Sequence, residues 1–220
     1  MFKIKICGVT RSEDIETIAA ASADAIGINM VPTSPRCVSL DRARMLAATA
    51  RELGLRVLIV VMDMDSDELT RIVQAIGPDG IQLHGQEIPA SIENCGNSAV
   101  VKALSWTGRE EEAALAKRWL TAAAPGRLSF LVDTYAPGVG GGTGKVARWD
   151  LLRPKPIELG SVPMLLAGGL TPENVARAIQ ETGCDGVDTA SGVESSPGIK
   201  QKQLIETFVQ AAQQAFRQTC

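Results

Sequence analysis

Eight short apolar runs, each followed by a longer amphipathic one, constrain this chain more than any other feature of its sequence. The runs fall at 3–7, 25–30, 56–63, 80–84, 99–104, 128–133, 162–167 and 186–189. Most are rich in Val, Ile and Leu without polar alternation, the pattern of strands buried on both faces. Helix signals follow them. Ser12 precedes the acidic pair Glu13-Asp14, Ser39 opens a run closed by Gly54, and Ser66 opens one closed by Gly77. A weaker helix is predicted over 89–94, a longer one over 109–123 and a short one over 147–152. Thr171-Pro172-Glu173-Asn174 predicts a helix start with Pro at its first position, ended by Gly183. The last helix carries Leu204, Phe208, Ala212 and Phe216 four residues apart.

Alternating βα units imply a parallel sheet covered by helices. Eight units share 220 residues, about 27 each, which fits a closed (β/α)8 barrel near its smallest size. The predicted fold is therefore a single (β/α)8 TIM barrel in the α/β class, one domain over 1–220. The rival is an open doubly wound sheet, which usually follows its first strand with a glycine-rich phosphate turn. Cys7-Gly8-Val9-Thr10 is not such a turn.

Composition narrows the partners. Lys and Arg number 22 against 25 Asp and Glu, for a net charge of −3, and there is no basic stripe. No nucleic-acid partner is expected. The longest apolar run, 57–62, is too short to span a membrane, and MFKIKICGVT has no signal-peptide core. Five cysteines, at 7, 37, 95, 184 and 220, form no C-x-x-C pair, so a reduced, cytoplasmic protein is expected. A single histidine leaves little for a metal site, and none is predicted.

Barrels place their active sites at the C-terminal ends of the strands, so the residues there are the candidates. Asp133 ends an apolar strand, where a carboxylate either caps the next loop or serves as general acid or base. Cys7 mirrors it at strand 1; taken alone, it reads as an inert buried thiol. Arg36 sits between Pro35 and Cys37, as a solvated loop charge or a stiffened carboxylate clamp. His84 is a structural histidine or a pocket donor. Gly168-Gly169 after strand 7 and Ser191-Gly192 after strand 8 occupy the usual phosphate-binding loops of barrels. The 138–144 segment holds five glycines and Thr143 but lacks Walker spacing. Alone it is a hinge or a phosphate clamp.

Six stretches together resemble the phosphoribosylanthranilate isomerase family: KICGVT (5–10), PTSPRCVS (32–39), QLHG (82–85), LVDTYAPGVGGGTGK (131–145), LAGGLTPENV (166–175) and GVDTASGVESSPGIK (186–200). They run in family order over nearly the whole barrel. The resemblance implies an Amadori rearrangement of N-(5′-phosphoribosyl)anthranilate in tryptophan biosynthesis, an aldose–ketose isomerisation without cofactor. It implies Asp133 as general acid, Cys7 as general base and Arg36 at the anthranilate carboxylate. Gly142, Thr143, Gly144, Gly168, Gly169, Ser191 and Gly192 match its phosphate segments, and His84 is a further candidate for substrate binding. A phosphorylated small molecule is the expected partner, and a homodimer is possible. The chain departs from the family at Ile28, Met30 and Val31, where aromatics are usual, at Cys37 for Tyr, and at Thr189-Ala190 for Val-Ser. Two alternatives stay open: an isomerase for another phosphoribosyl aldosamine, and a non-catalytic phosphosugar-binding barrel.

Overall fold

Each strand must bury both faces, and a ring of parallel strands inside a ring of helices lets it do so. The computed structural model describes residues 2–133 and 148–219. The strands are β1 (Ile4–Cys7), β2 (Ala25–Asn29), β3 (Arg56–Val61), β4 (Gly80–Leu83), β5 (Ala99–Ser105), β6 (Leu128–Asp133), β7 (Met164–Ala167) and β8 (Gly186–Thr189). They pair in sequence order, all parallel, and β8 closes the ring on β1 with Ile4 opposite Val187. The α-helices are α1 (Ser12–Ala20), α2 (Leu40–Glu52), α3 (Ser66–Ile76), α4 (Glu110–Ala122), α5 (Val175–Thr182) and α6 (Lys202–Gln218). This is the (β/α)8 barrel that the alternating pattern predicts. Among the described residues, no helix is long and apolar enough to cross a membrane.

Period-two alternation divides the core into two layers. One side of each strand, such as Ile4 and Ile6 of β1 or Val57, Ile59 and Val61 of β3, packs beneath the helices. The other side faces the barrel axis. Phe2, Ala25, Leu58, Val101, Leu131, Leu165 and Ala167 form a separate apolar cluster there. Towards the C-terminal ends the axis-facing positions turn polar.

The capping residues differ in detail from the expectation. Ser39 caps α2 as predicted, accepting from the Arg42 N–H. Ser12 and Ser66 instead become the first helical residues. Asp65 caps α3, because its carboxylate reaches the Asp67 N–H. The helix predicted at 171 begins at Val175, since the Asn174 side chain accepts from the Thr171 N–H at 2.8 Å and closes a turn first. The helix predicted over 89–94 is a 3-10 helix over Pro89–Cys95, and the one over 147–152 is a 3-10 turn over Trp149–Leu152 with residue 147 outside the described residues. Strand 7 starts two residues late, just after Pro163, which has no N–H to pair. After β8 the chain adds a hairpin that the pattern did not predict, β9 (Glu194–Ser196) with β10 (Ile199–Lys200).

Candidate active site

The C-terminal ends of the strands surround a cavity of about 350 Å³, inside the usual size range of small-ligand sites. Six predicted residues line it: Cys7, Arg36, His84, Gly168, Gly169 and Ser191. Asp133, closing β6, lines an adjoining cavity of about 410 Å³, and His84 belongs to both. Gly192 sits behind the wall. Its backbone lies against the Leu170 carbonyl, where any side chain would collide, and this lets the loops after β7 and β8 meet. Gly142, Thr143 and Gly144 lie outside the described residues.

Cys7 is 8% exposed. Its thiol fits because β2 carries Gly27 beside it, where a Cβ would come within 2.6 Å of Sγ. Burial pushes the thiol above its ordinary pKa. The charge of Lys5 and its hydrogen bond pull the other way, as does Lys200, while Asp188 adds to the rise.

Lys5 is the residue that sequence reasoning missed most plainly. It is fully buried, two positions before Cys7 on the same side of β1. Its Nζ lies 2.7 Å from Asp188 Oδ2 and donates to Gln82 Oε1 at 2.9 Å. Burial alone would depress the ammonium, but Asp188 and Cys7 outweigh it and hold Lys5 above the ordinary lysine value.

That contact fixes a second one. With Oε1 given to Lys5, Gln82 turns its amide Nε2 to His84 Nδ1, 3.1 Å away. A neutral imidazole that accepts at Nδ1 carries its proton on Nε2. Burial lowers the His84 pKa, with Asp188 opposing, so the ring is neutral near pH 7. His84 therefore carries its proton on Nε2 and lines the cavity. Asp188, 6% exposed, also lines the cavity, and its Oδ1 has no hydrogen-bond partner among the described residues.

Arg36 is partly committed within the protein. Its stem crosses Gly8 so closely that a side chain there would collide with Cδ, and Gly8 holds a φ of +71°. Arg36 Nε donates to Glu194 Oε1 at 2.8 Å, and Nη2 donates to Glu194 Oε2. Lys200 Nζ lies 2.8 Å from the same Oε1 and also donates to the carbonyls of Cys7 and Ala190. Burial would raise the Glu194 carboxyl, but Arg36 and Lys200 together hold it below the usual carboxylate value. Neither Glu194 nor Lys200 was predicted, although both lie in the last matching stretch.

Gly168 and Gly169 hold φ of +92° and +64°, so the turn after β7 needs glycine whatever it binds. A 3-10 turn over Ser191–Val193 follows β8. Among the described residues, no group of three or more His, Cys, Asp or Glu is placed to hold a metal ion.

A closed (β/α)8 barrel with a thiol, a carboxylate and glycine turns around its C-terminal mouth has the layout of a barrel enzyme. The family model described as N-(5′-phosphoribosyl)anthranilate (PRA) isomerase matches residues 4–211. The Myxococcus xanthus protein of that name is 42% identical over 211 residues, covering 96% of this chain and 95% of that one. A phosphoribosylanthranilate isomerase solved with reduced 1-(o-carboxyphenylamino)-1-deoxyribulose 5-phosphate superposes with a TM-score of 0.81 at 26% identity, over 97% of this chain and all of the other. Monomers made from the dimeric Thermotoga maritima isomerase superpose at 0.80 with 27% identity, over 97% and 99%. The chain belongs to the N-(5′-phosphoribosyl)anthranilate isomerase family.

Proposed function

We propose that the chain converts N-(5′-phosphoribosyl)anthranilate to 1-(2-carboxyphenylamino)-1-deoxyribulose 5-phosphate in tryptophan biosynthesis, with Asp133 as general acid and Cys7 as general base. The observation that carries this reading is their placement. They end non-adjacent strands of one ring, β1 and β6, and His84 borders the cavities of both. Asp133 gives a proton to the furanose oxygen, the C1′–O bond breaks, and a Schiff base forms at C1′. Cys7 then takes the proton from C2′, leaving an enolamine that tautomerises to the ketone.

The other residues supply binding. Gly168, Gly169 and Ser191 offer backbone N–H groups to the phosphate, joined by Gly142, Thr143 and Gly144, while Gly192 holds the two loops together. Arg36 takes the aryl carboxylate. Asp188 Oδ1 accepts from a sugar hydroxyl, and His84 Nε2–H donates to a sugar oxygen. The whole chain acts as one catalytic domain in the cytoplasm. A homodimer is part of the same reading, supported by the dimeric T. maritima relative.

Rescue of a tryptophan auxotroph lacking this isomerase tests the proposal. The wild-type chain should restore growth, and Cys7→Ser and Asp133→Asn should each lose orders of magnitude in turnover while staying folded. Near-normal turnover in both variants would overturn the assignment, and turnover only with a histidine-pathway aldosamine would redirect it.

A further inference from the structure

An arginine meets a carboxylate well only if its plane is held, because the two parallel N–H···O bonds need one orientation. A long side chain on a loop gains that orientation at an entropic cost. The surroundings of Arg36 remove most of this freedom before any ligand arrives. Its backbone N–H bonds the Ser34 hydroxyl at 3.2 Å. Its stem lies flat on Gly8. Its Nε and Nη2 are both taken by one carboxylate, Glu194.

We propose that Glu194, seated on Lys200, is a positioning residue that grips one edge of Arg36 and aims the other edge at the carboxylate of the bound aryl group. The proposal rests on the substrate reading above. A guanidinium has two usable forks, Nε with Nη2 and Nη1 with Nη2. Glu194 occupies the first, and the second is the edge that a ligand carboxylate meets, since Arg36 lines the cavity.

Charge supports the arrangement. Arg36 and Lys200 carry two positive charges against the one negative charge of Glu194, so the cluster has a net charge of +1. One ligand carboxylate brings it to zero. Without Glu194 two cations would face each other in a poorly solvated place, with Lys200 fully buried. Burial leaves the Lys200 ammonium below the ordinary lysine value, and Glu194 opposes that fall.

Lys200 adds registration. The same ammonium bonds the Cys7 carbonyl, the Ala190 carbonyl and Glu194. It therefore ties the base strand, the approach to the Ser191 loop and the arginine clamp to one point. The β9–β10 hairpin brings it there: Glu194 and Lys200 are paired across it, and the Gly198 N–H bonds Glu194 Oε1 at 3.2 Å. The hairpin thus has a task, to deliver a buried Lys–Glu pair behind Arg36.

The test uses calorimetric binding of two ligands, reduced 1-(o-carboxyphenylamino)-1-deoxyribulose 5-phosphate and the same compound without its ring carboxylate. The wild-type protein should prefer the carboxylated ligand. Glu194→Gln should weaken that ligand by about tenfold and leave the other within about twofold, the size of a weak indirect effect. Glu194→Asp, which keeps a charge for Lys200 but shortens the reach, should show the same selective loss and covers a Gln variant that folds poorly. In an Arg36→Met background, removing Glu194 should no longer weaken carboxylate binding. Equal losses for both ligands, no loss, or tighter binding of the carboxylated ligand would each overturn the positioning role. Wild-type protein with no preference between the ligands would overturn the substrate reading and the proposal with it.

Discussion

Among the described residues, two buried lysine–glutamate pairs stand at the mouth of this barrel, and they are built alike. Lys102 Nζ lies 2.7 Å from Glu87, and Lys200 Nζ lies 2.8 Å from Glu194. Each lysine also donates to two backbone carbonyls, one ending a strand and one in a loop: those of Leu83 and Gly85 in one case and of Cys7 and Ala190 in the other. Each glutamate is held below the usual carboxylate value, its burial outweighed by its hydrogen bonds. The pairs differ in what the glutamate does with its remaining capacity. Glu87 accepts from the N–H groups of Gly85 and Asp63, and so closes two loops on each other. Glu194 accepts from Arg36, a side chain of the cavity wall. The same device is a staple in one place and a staple coupled to ligand in the other. The outward partner of the carboxylate, rather than the ion pair itself, decides which.

That comparison can be broken first at the lysines. Removing one partner of a buried pair strands the other charge, at a typical cost of about 3–5 kcal/mol. Lys102→Met and Lys200→Met should both lose stability on that scale in urea unfolding. Only Lys200→Met should also alter the preference for a carboxylated ligand in the protein that remains folded.

Replacing both members with apolar residues removes the stranded charge and is often close to neutral. Lys102→Met with Glu87→Leu should recover most of the lost stability and keep turnover. Lys200→Met with Glu194→Leu should recover less stability, because Arg36 loses the carboxylate that holds its Nε and Nη2, and should not recover turnover. Equal turnover in the two double variants would erase the distinction between the pairs.

A third buried lysine, Lys5, sharpens the comparison further, because its charge acts on the thiol proposed as the base. Its charge pulls Cys7 down against burial, so Lys5→Met should move the thiolate limb of the kcat/KM profile to higher pH. Wild-type activity should itself rise with pH beyond the ordinary thiol value of 9.0 when chemistry limits the rate. An unshifted limb in the variant would separate Lys5 from the base.

Acid gives a smaller shared effect. Glu87 and Glu194 titrate lower in the folded chain than unfolded. Their contribution to stability is complete above the unfolded carboxylate value and is lost as pH falls through the folded one. Acid unfolding should therefore steepen below about pH 4, and the Glu87→Leu double variant should remove part of that slope. The exposed pair Arg71–Glu68, at 3.6 Å, marks the low end of the scale. Arg71→Ala should cost less than about 0.5 kcal/mol.

The fold was legible because parallel strands buried on both faces leave an unbroken apolar signature, and α/β connections repeat at a nearly constant length. The placement of Cys7, Asp133, Arg36 and His84 around the mouth was legible because they close strands or follow them directly. Lys5, Gln82 and Asp188 were not. Each looks like a polar interruption in an apolar run until closure of the ring turns alternate positions toward one axis. Lys5 could have been found by parity, since it stands two residues before Cys7. Asp188 could have been found by the reasoning that selected Asp133, a carboxylate near the end of an apolar strand. Glu194 and Lys200 carried no such signal. Beyond each other, their partners Arg36 and Cys7 lie far along the chain, and only the folded approach of the β8 loop to the β1 and β2 loops brings them together. The β9–β10 hairpin was hidden for a different reason, its strands being only three and two residues long.

The bond from Lys200 to the Cys7 carbonyl joins residues 193 positions apart, and that span has a temporal meaning. A ribosome working at about 5–20 residues per second delivers the ammonium on the order of ten to forty seconds after the thiol. During that interval the nascent chain holds the Cys7 thiol on a strand whose far neighbour, β8, does not yet exist. The catalytic mouth is therefore completed among the last parts of the molecule, and a truncated product ending before the hairpin would carry the reactive groups without the frame that sets them.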